Sequence, residues 1–75
     1  MRSNAPTDAK TAEAAKRRIL HQPHLAMQRL WCEFDQGRLH LRGQVPSFYL
    51  KQLAQEAVVG MEGVHQVVNE IEVVW

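Results

Sequence analysis

Gly60-Met61-Glu62-Gly63-Val64-His65-Gln66-Val67-Val68-Asn69-Glu70-Ile71-Glu72-Val73-Val74 reads as a corner followed by a strand. Gly60 or Gly63 supplies the positive φ that ends a preceding helix. Val67, Ile71 and Val73 then share one parity, and Glu70, Glu72 and Val74 take the other, as in a strand with one face buried. Asn69 falls on the buried parity, so its amide is expected to satisfy nearby backbone groups. Immediately upstream, Leu50, Leu53, Ala54, Ala57, Val58 and Met61 recur at the i, i+3, i+4 spacing of an amphipathic helix. Ser47 stands where that helix needs an N-cap.

Before Pro46, residues Leu30 to Val45 alternate as a β-hairpin. Leu30, Cys32 and Phe34 face one way and Trp31, Glu33 and Asp35 the other. Leu39, Leu41 and Val45 likewise alternate with Arg38, His40, Arg42 and Gln44. Gln36-Gly37 is a two-residue turn, because Gly accepts positive φ without steric cost. That turn sets Phe34 opposite Leu39 and Cys32 opposite Leu41 on the inner face. On the outer face it sets Asp35 opposite Arg38, Glu33 opposite His40, and Trp31 opposite Arg42, which gives two opposite-charge pairs and one cation–π pair. Gly43 allows a bend or a close approach from above. Farther upstream, Ala12, Ala15 and Ile19 form the inner stripe of a first helix, with Lys10, Ala14, Arg17 and His21 outward. This helix is capped by Thr7 or Asp8, runs to about Leu20 and is stopped by Pro23. Residues 1–6 are expected to be a disordered lead-in and residues 7–75 a single domain.

The expected fold is therefore a small α+β domain of order αββαβ. Both helices cover one face of a three-stranded mixed sheet, and the last strand runs parallel to a hairpin strand through a right-handed crossover. Seventy-five residues suffice for one economical core. No run approaches the ~18 apolar residues of a membrane span. The first six residues lack an apolar signal region, so the sequence as given predicts a cytoplasmic protein, or a periplasmic or envelope one if a leader has been removed. Nine Lys and Arg against eight Asp and Glu give a net charge of +1. The charge is nevertheless split: all nine bases lie in residues 1–51 with four acids, net +5, and residues 52–75 hold four Glu, net −4. Such a split suits a basic docking face or complementary edges for self-association.

The run Leu30-x-Cys32-x-Phe34-x-x-Gly37-x-Leu39-x-Leu41-x-Gly43-x-Val45, followed by Gly63-Val64-x-x-Val67-x-Asn69-x-Ile71-x-Val73, resembles the BON domain. That family is named for the bacterial osmotically induced and nodulation proteins in which it was noticed. The likeness extends over roughly residues 8–74. It implies a non-enzymatic domain with roles in binding phospholipid or membrane surfaces and in protein–protein contact, in stress- or envelope-related bacterial proteins. Many members are exported and carry two copies, whereas this sequence has one copy and no signal peptide. Cys32 stands where the family usually has a branched aliphatic residue. The family has no universal catalytic or ligand residue, so the resemblance transfers fold and class of role only.

The residues themselves point the same way. His21-x-x-His24 straddles Pro23, and His40, His65 and Cys32 lie at spacings unlike those of a structural zinc site, so no metal or cofactor is expected. Cys32 alternates into the core, where a thiolate is disfavoured, and no serine has a His–carboxylate relay. No Gly-rich loop precedes a helix to cradle phosphate, and no catalytic residue or small-molecule substrate is expected. The candidate interface consists of Trp31 and Arg42 on the open sheet face, Phe48 and Tyr49 at the start of the second helix, and Lys10 and Arg17 on the first. Aromatic and Arg side chains anchor interfaces, and Trp and Tyr suit a lipid headgroup layer. Gly37, Gly43, Ser47, Gly63 and Asn69 are expected to be structural. The leading expectation is a non-catalytic module that contacts a membrane surface or a protein partner. A structural module that self-associates into a homo-oligomer is the alternative. Single-stranded RNA binding ranks below both, because Glu33, Asp35, Glu70 and Glu72 crowd the face that nucleic acid would use.

Overall fold

The computed structural model describes residues 6–74, with the side chains of residues 6–8 left aside. The expected lead-in and Trp75, inward by parity, lie outside that range except for Pro6. Helix α1 spans Pro6–Leu20 and α2 spans Phe48–Ala57. Strands β1 (Trp31–Asp35) and β2 (Arg38–Arg42) form the hairpin, and β3 (Gln44–Val45) continues it. Strands β4 (Gln66–Asn69) and β5 (Glu72–Val73) follow α2. The main sheet has the order β1-β2-β4, with β2 antiparallel to β1 and parallel to β4, so it is the mixed three-stranded sheet expected.

The hairpin register is the expected one throughout: Trp31 faces Arg42, Cys32 Leu41, Glu33 His40, Phe34 Leu39 and Asp35 Arg38. Gln36 at φ 52° and Gly37 at φ 81° make the turn, the pair of positive φ values that matches strand twist. Gly37 has a second duty. Its carbonyl accepts the N–H groups of His65 at 2.8 Å and Gln66 at 3.2 Å, which fixes where β4 begins. A Cβ on Gly37 would lie 2.6 Å from the His65 ring.

Two long strands were expected where the structure has four short ones. Gly43, at φ 128°, separates β2 from β3, and Glu70-Ile71 separates β4 from β5, so β3 and β5 pair as a small parallel sheet of their own. The ladder nevertheless crosses the break. Glu70 N–H donates to Leu41 O, Glu72 N–H to Gly43 O and Val74 N–H to Val45 O, each at 2.9 Å. Gly43 is confined by more than its backbone angle, since a Cβ there would lie 2.7 Å from Leu30 Cδ2 and 3.0 Å from the Arg29 carbonyl. The close neighbour is therefore the chain entering β1.

The core is the inner face: Ala15 and Ile19 of α1, Leu30, Leu39, Leu41, Val45, Leu50, Ala54, Val58, Met61 and Ile71 are all buried. Val67 and Val73 pack against it half-buried, as do Cys32, Phe34 and Leu53. Ala14, expected outward, also packs on the core. A 3₁₀ segment, Leu25–Arg29, had no signal in the periodicity; it buries Met27 completely beneath the hairpin. Helix α1 starts at Pro6 and not after a Thr7 or Asp8 cap, and Pro suits a first helical position because its missing N–H would have no intrahelical partner. Ser47 caps α2 as expected, its Oγ accepting the Leu50 N–H at 3.2 Å. Helix α2 ends at Ala57, and Gly60 and Gly63, at φ 80° and 85°, turn the chain into β4.

Asn69 ties these parts together. Its Nδ2 donates to Lys51 O and to Gln55 Oε1 of α2, both at 3.1 Å, and its Oδ1 accepts the Ile71 N–H at 3.1 Å. Replacing Asn69 by Ala leaves a half-buried carbonyl and an N–H without those partners, a loss of about 1–3 kcal/mol. For a domain of this size that is a drop of roughly 5–15 °C in Tm by thermal circular dichroism. Asn69→Asp keeps the acceptor for Ile71 but sets a carboxylate against the Lys51 carbonyl, so it is expected to be nearly as damaging. An Asn69→Asp variant as stable as wild type would show that the donor contacts to α2 carry no weight.

Candidate binding site

Parity places Trp31, Glu33 and Asp35 of β1, Arg38, His40 and Arg42 of β2, and Glu70 and Glu72 on the sheet face opposite the helices. The side chains there pair differently from their Cα register. Arg42 Nε lies 3.3 Å from Glu70 Oε1 and 3.6 Å from Glu33 Oε1, and His40 Nδ1 lies 3.4 Å from the same Glu70 oxygen. Among the described residues the expected Glu33–His40 and Asp35–Arg38 ion pairs and the Trp31–Arg42 cation–π contact do not form; His40 and Arg42 turn to Glu70, just after β4, and Arg42 also approaches Glu33. The reason is electrostatic: Glu70 projects beside β2 and offers Arg42 and His40 a full charge, which outweighs a ring face. Glu72 Oε1 accepts a hydrogen bond from Gln44 Nε2 at 3.1 Å.

A groove of about 660 Å³ opens on this face around Gly43. Arg29, Trp31, Arg42, Gln44, Glu70 and Glu72 line it. A second hollow of about 330 Å³ adjoins it, sharing Arg29 and Gln44, and is otherwise lined by Leu25, Ala26, Val45, Pro46 and Val74. Trp31 is half exposed at 49%, Val74 43%, and Leu25 stands almost free at 80%. Tyr49 and Phe48 are each 66% exposed at the start of α2. Tyr49 meets the His24 ring edge-on at 6.2 Å, which places it next to the 3₁₀ segment that carries Leu25.

The residues expected to form one interface therefore fall on separate surfaces. Trp31 and Arg42 line the groove. Tyr49 and Phe48 stand at the end of the molecule where β3 runs into Pro46. Lys10 lies on α1 with Arg18 beside Met61 and Glu62, and Arg17 is exposed on the same helix, which covers the inner face of the sheet. Two other bases of α1 serve the fold. Lys16 Nζ donates to the carbonyls of Leu30 and, at 3.4 Å, Gln28, which closes the 3₁₀ segment, and Arg18 reaches Val59 O at 3.4 Å. Arg29 and Gln44 were not singled out from the sequence, and Glu72 was read only as an acid of the outer face. Their signal was present, since Arg29 precedes Trp31 by two residues and Gln44 and Glu72 hold outward parity.

Cys32 is the single thiol. Burial pushes it up from 9.0 to about 11, against a smaller opposing pull from the Lys16 charge. Among the described residues, no three of His, Cys, Asp and Glu are grouped so as to hold a metal ion, and no helix is long and apolar enough to cross a membrane.

The fold is a two-helix α+β domain with an open, grooved sheet face. The family model of the BON domain matches residues 7–74, nearly the whole chain, and the chain belongs to that family. No curated protein matches the sequence.

The Cys32 environment makes a measurable difference. At pH 8 a thiol raised from 9.0 to about 11 holds roughly 100-fold less thiolate, so iodoacetamide should alkylate the folded protein at least about 100-fold more slowly than the urea-unfolded chain. The folded thiol keeps its proton where the unfolded thiol loses it. Its contribution to stability is therefore intact below pH 9.0 and declines as pH rises from there through about 11. Urea titrations at both ends of that window should show a larger fall for wild type than for Cys32→Ala; equal falls would mean that the thiol is solvated.

Proposed function

We propose that this BON domain is a non-catalytic module that docks on a phospholipid surface through the end of the molecule built from the 3₁₀ segment, the Pro46 corner and the start of α2. The observation that carries the proposal is the company of exposed apolar side chains there. Leu25, Pro46 and Val74 line one hollow with Arg29, Tyr49 meets His24 next to Leu25, and Phe48 precedes Tyr49 in the chain. Single exposed apolar residues are ordinary, but several at one end of a small domain mark a contact surface. Tyr together with Arg at the edge of an apolar patch fits the interfacial layer of a bilayer, where ring and charge both find partners. The acidic Glu33, Glu70 and Glu72 on the open face weigh against a track for nucleic-acid phosphates. A thiol held protonated at neutral pH weighs against covalent catalysis.

Co-sedimentation with liposomes, read together with Trp fluorescence, tests the proposal. Wild type should pellet with vesicles, and Leu25→Ser combined with Phe48→Ser should weaken pelleting roughly ten-fold or more, since about 1.5–3 kcal/mol accompanies full burial of each such side chain. Circular dichroism should be unchanged because both side chains are exposed. Equal pelleting by the double variant would overturn this surface as the docking site. Pelleting with no vesicle composition would overturn the membrane role and return self-association or a protein partner to first place.

A further inference from the structure

Two charges that line the groove take part in no ion pair among the described residues. Among the described residues, Arg29 has no carboxylate within ion-pairing distance, and Glu72 has only the neutral amide of Gln44. Both line the same 660 Å³ groove, and yet they do not pair with each other. Unpaired charges of opposite sign lining one groove suit a ligand that is itself a dipole, with an anion for the one and a cation for the other. Arg offers a planar fork suited to phosphate oxygens. Glu72 retains its second oxygen, and Glu70 also lines the groove, its Oε1 turned to Arg42 and His40. Carboxylates receive a primary ammonium through its N–H donors. A quaternary ammonium has no such donors and requires a cage of aromatic rings, whereas the groove has the single ring of Trp31. The shared lining of Arg29 and Gln44 leads from this polar groove directly into the apolar hollow of Leu25, Pro46 and Val74. Charged head and apolar tail thus have adjacent places.

We propose that the groove recognises the zwitterionic phosphoethanolamine headgroup of a membrane lipid, with Arg29 on the phosphate, Glu72 on the primary ammonium and Trp31 covering the headgroup. This rests on the phospholipid-surface reading above and names the lipid class that it selects. Binding is then governed by a dipole and not by net charge. It should tolerate salt better than adsorption of a basic helix on an anionic surface, which Debye screening weakens steeply.

The test compares vesicles of phosphatidylcholine alone, phosphatidylcholine with phosphatidylethanolamine, and phosphatidylcholine with phosphatidylglycerol, at low and physiological salt. Soluble glycerophosphoethanolamine is titrated in parallel by the NMR shift of the Trp31 indole. Affinity is expected to rise with the ethanolamine lipid and to change little with salt. Arg29→Gln and Glu72→Gln should each remove that increment, about ten-fold for the loss of one charge-assisted contact. Lys10→Gln on α1 should leave the increment intact. Pelleting that is equal in all three compositions, or that follows the anionic lipid alone, overturns the headgroup assignment and leaves the docking surface standing. Pelleting with none of them overturns both proposals. A shift of the Trp31 indole by glycerophosphoethanolamine that persists in Glu72→Gln removes Glu72 from the recognition and overturns the assignment as stated.

Discussion

The side chain of Asn69 is the constraint on which this fold turns. A polar amide at an inward strand position would be costly if unpaired, and here each end of it is used. The donor end grips α2 one turn apart, at Lys51 O and Gln55 Oε1, and the acceptor end takes the Ile71 N–H just beyond β4. Hence α2 cannot slide along the sheet without breaking the bond that shapes the gap between β4 and β5. The Gly43 break lies directly across from that gap, and the parallel ladder steps over both, from Leu41 O to Gly43 O to Val45 O. One Asn and one Gly thereby turn a three-stranded sheet into a bent one while losing little of its hydrogen bonding.

On the open face the charges settle a different question. Exposed ion pairs contribute little to stability, a median of about 0–1 kcal/mol, so the Glu33–Arg42–Glu70–His40 cluster is not what holds the sheet. Its effect is on what remains. Glu70 and Glu33 take up Arg42, and among the charges that line the groove Arg29 and Glu72 are left without an ion pair. The +5 of residues 1–51 and the −4 of residues 52–75 meet here in part, because β4 and β5 lie beside β2 and β3. What the sequence suggested as a charged docking face is in large measure internal compensation.

How much of this was visible in the residues depended on how local the cause was. The hairpin register follows from one turn dipeptide and period-2 alternation, and it is correct at every pair. The buried face of α2 and the inward parity of Val67, Asn69, Ile71 and Val73 were legible for the same reason. Met27 was not, because a five-residue 3₁₀ segment is too short to show a period, and only the packing of Leu25–Arg29 against β3 and α2 reveals it. The cation–π pairing of Trp31 with Arg42 failed because it weighed neighbours on two strands, while the decisive partner, Glu70, comes from a third. Lys10 and Arg17 were placed on the outward face of the first helix by its spacing, and α1 carries them on the side of the sheet away from Trp31.

The break that shapes the sheet also shapes the groove. Side chains on an unbroken, gently twisted sheet stand side by side and leave no hollow between successive outward positions. At Gly43 the chain turns through a backbone angle that side chains rarely adopt, and Gly43 itself lines the groove with Trp31, Arg42, Gln44 and Glu72. The absence of a side chain at Gly43 is required from below by Leu30 and the Arg29 carbonyl. The same contact fixes the end of the 3₁₀ segment, and with it the place of Arg29 at the junction of the polar groove and the apolar hollow. A substitution at Gly43 therefore disturbs the packing of β1 and the binding face together, and loss of binding in such a variant says nothing about the ligand. The side chains of Arg29, Glu72 and Leu25 are exposed, and only the backbone carbonyl of Arg29 takes part in that contact, so the recognition can be altered at those positions while the bend that creates the site stays in place.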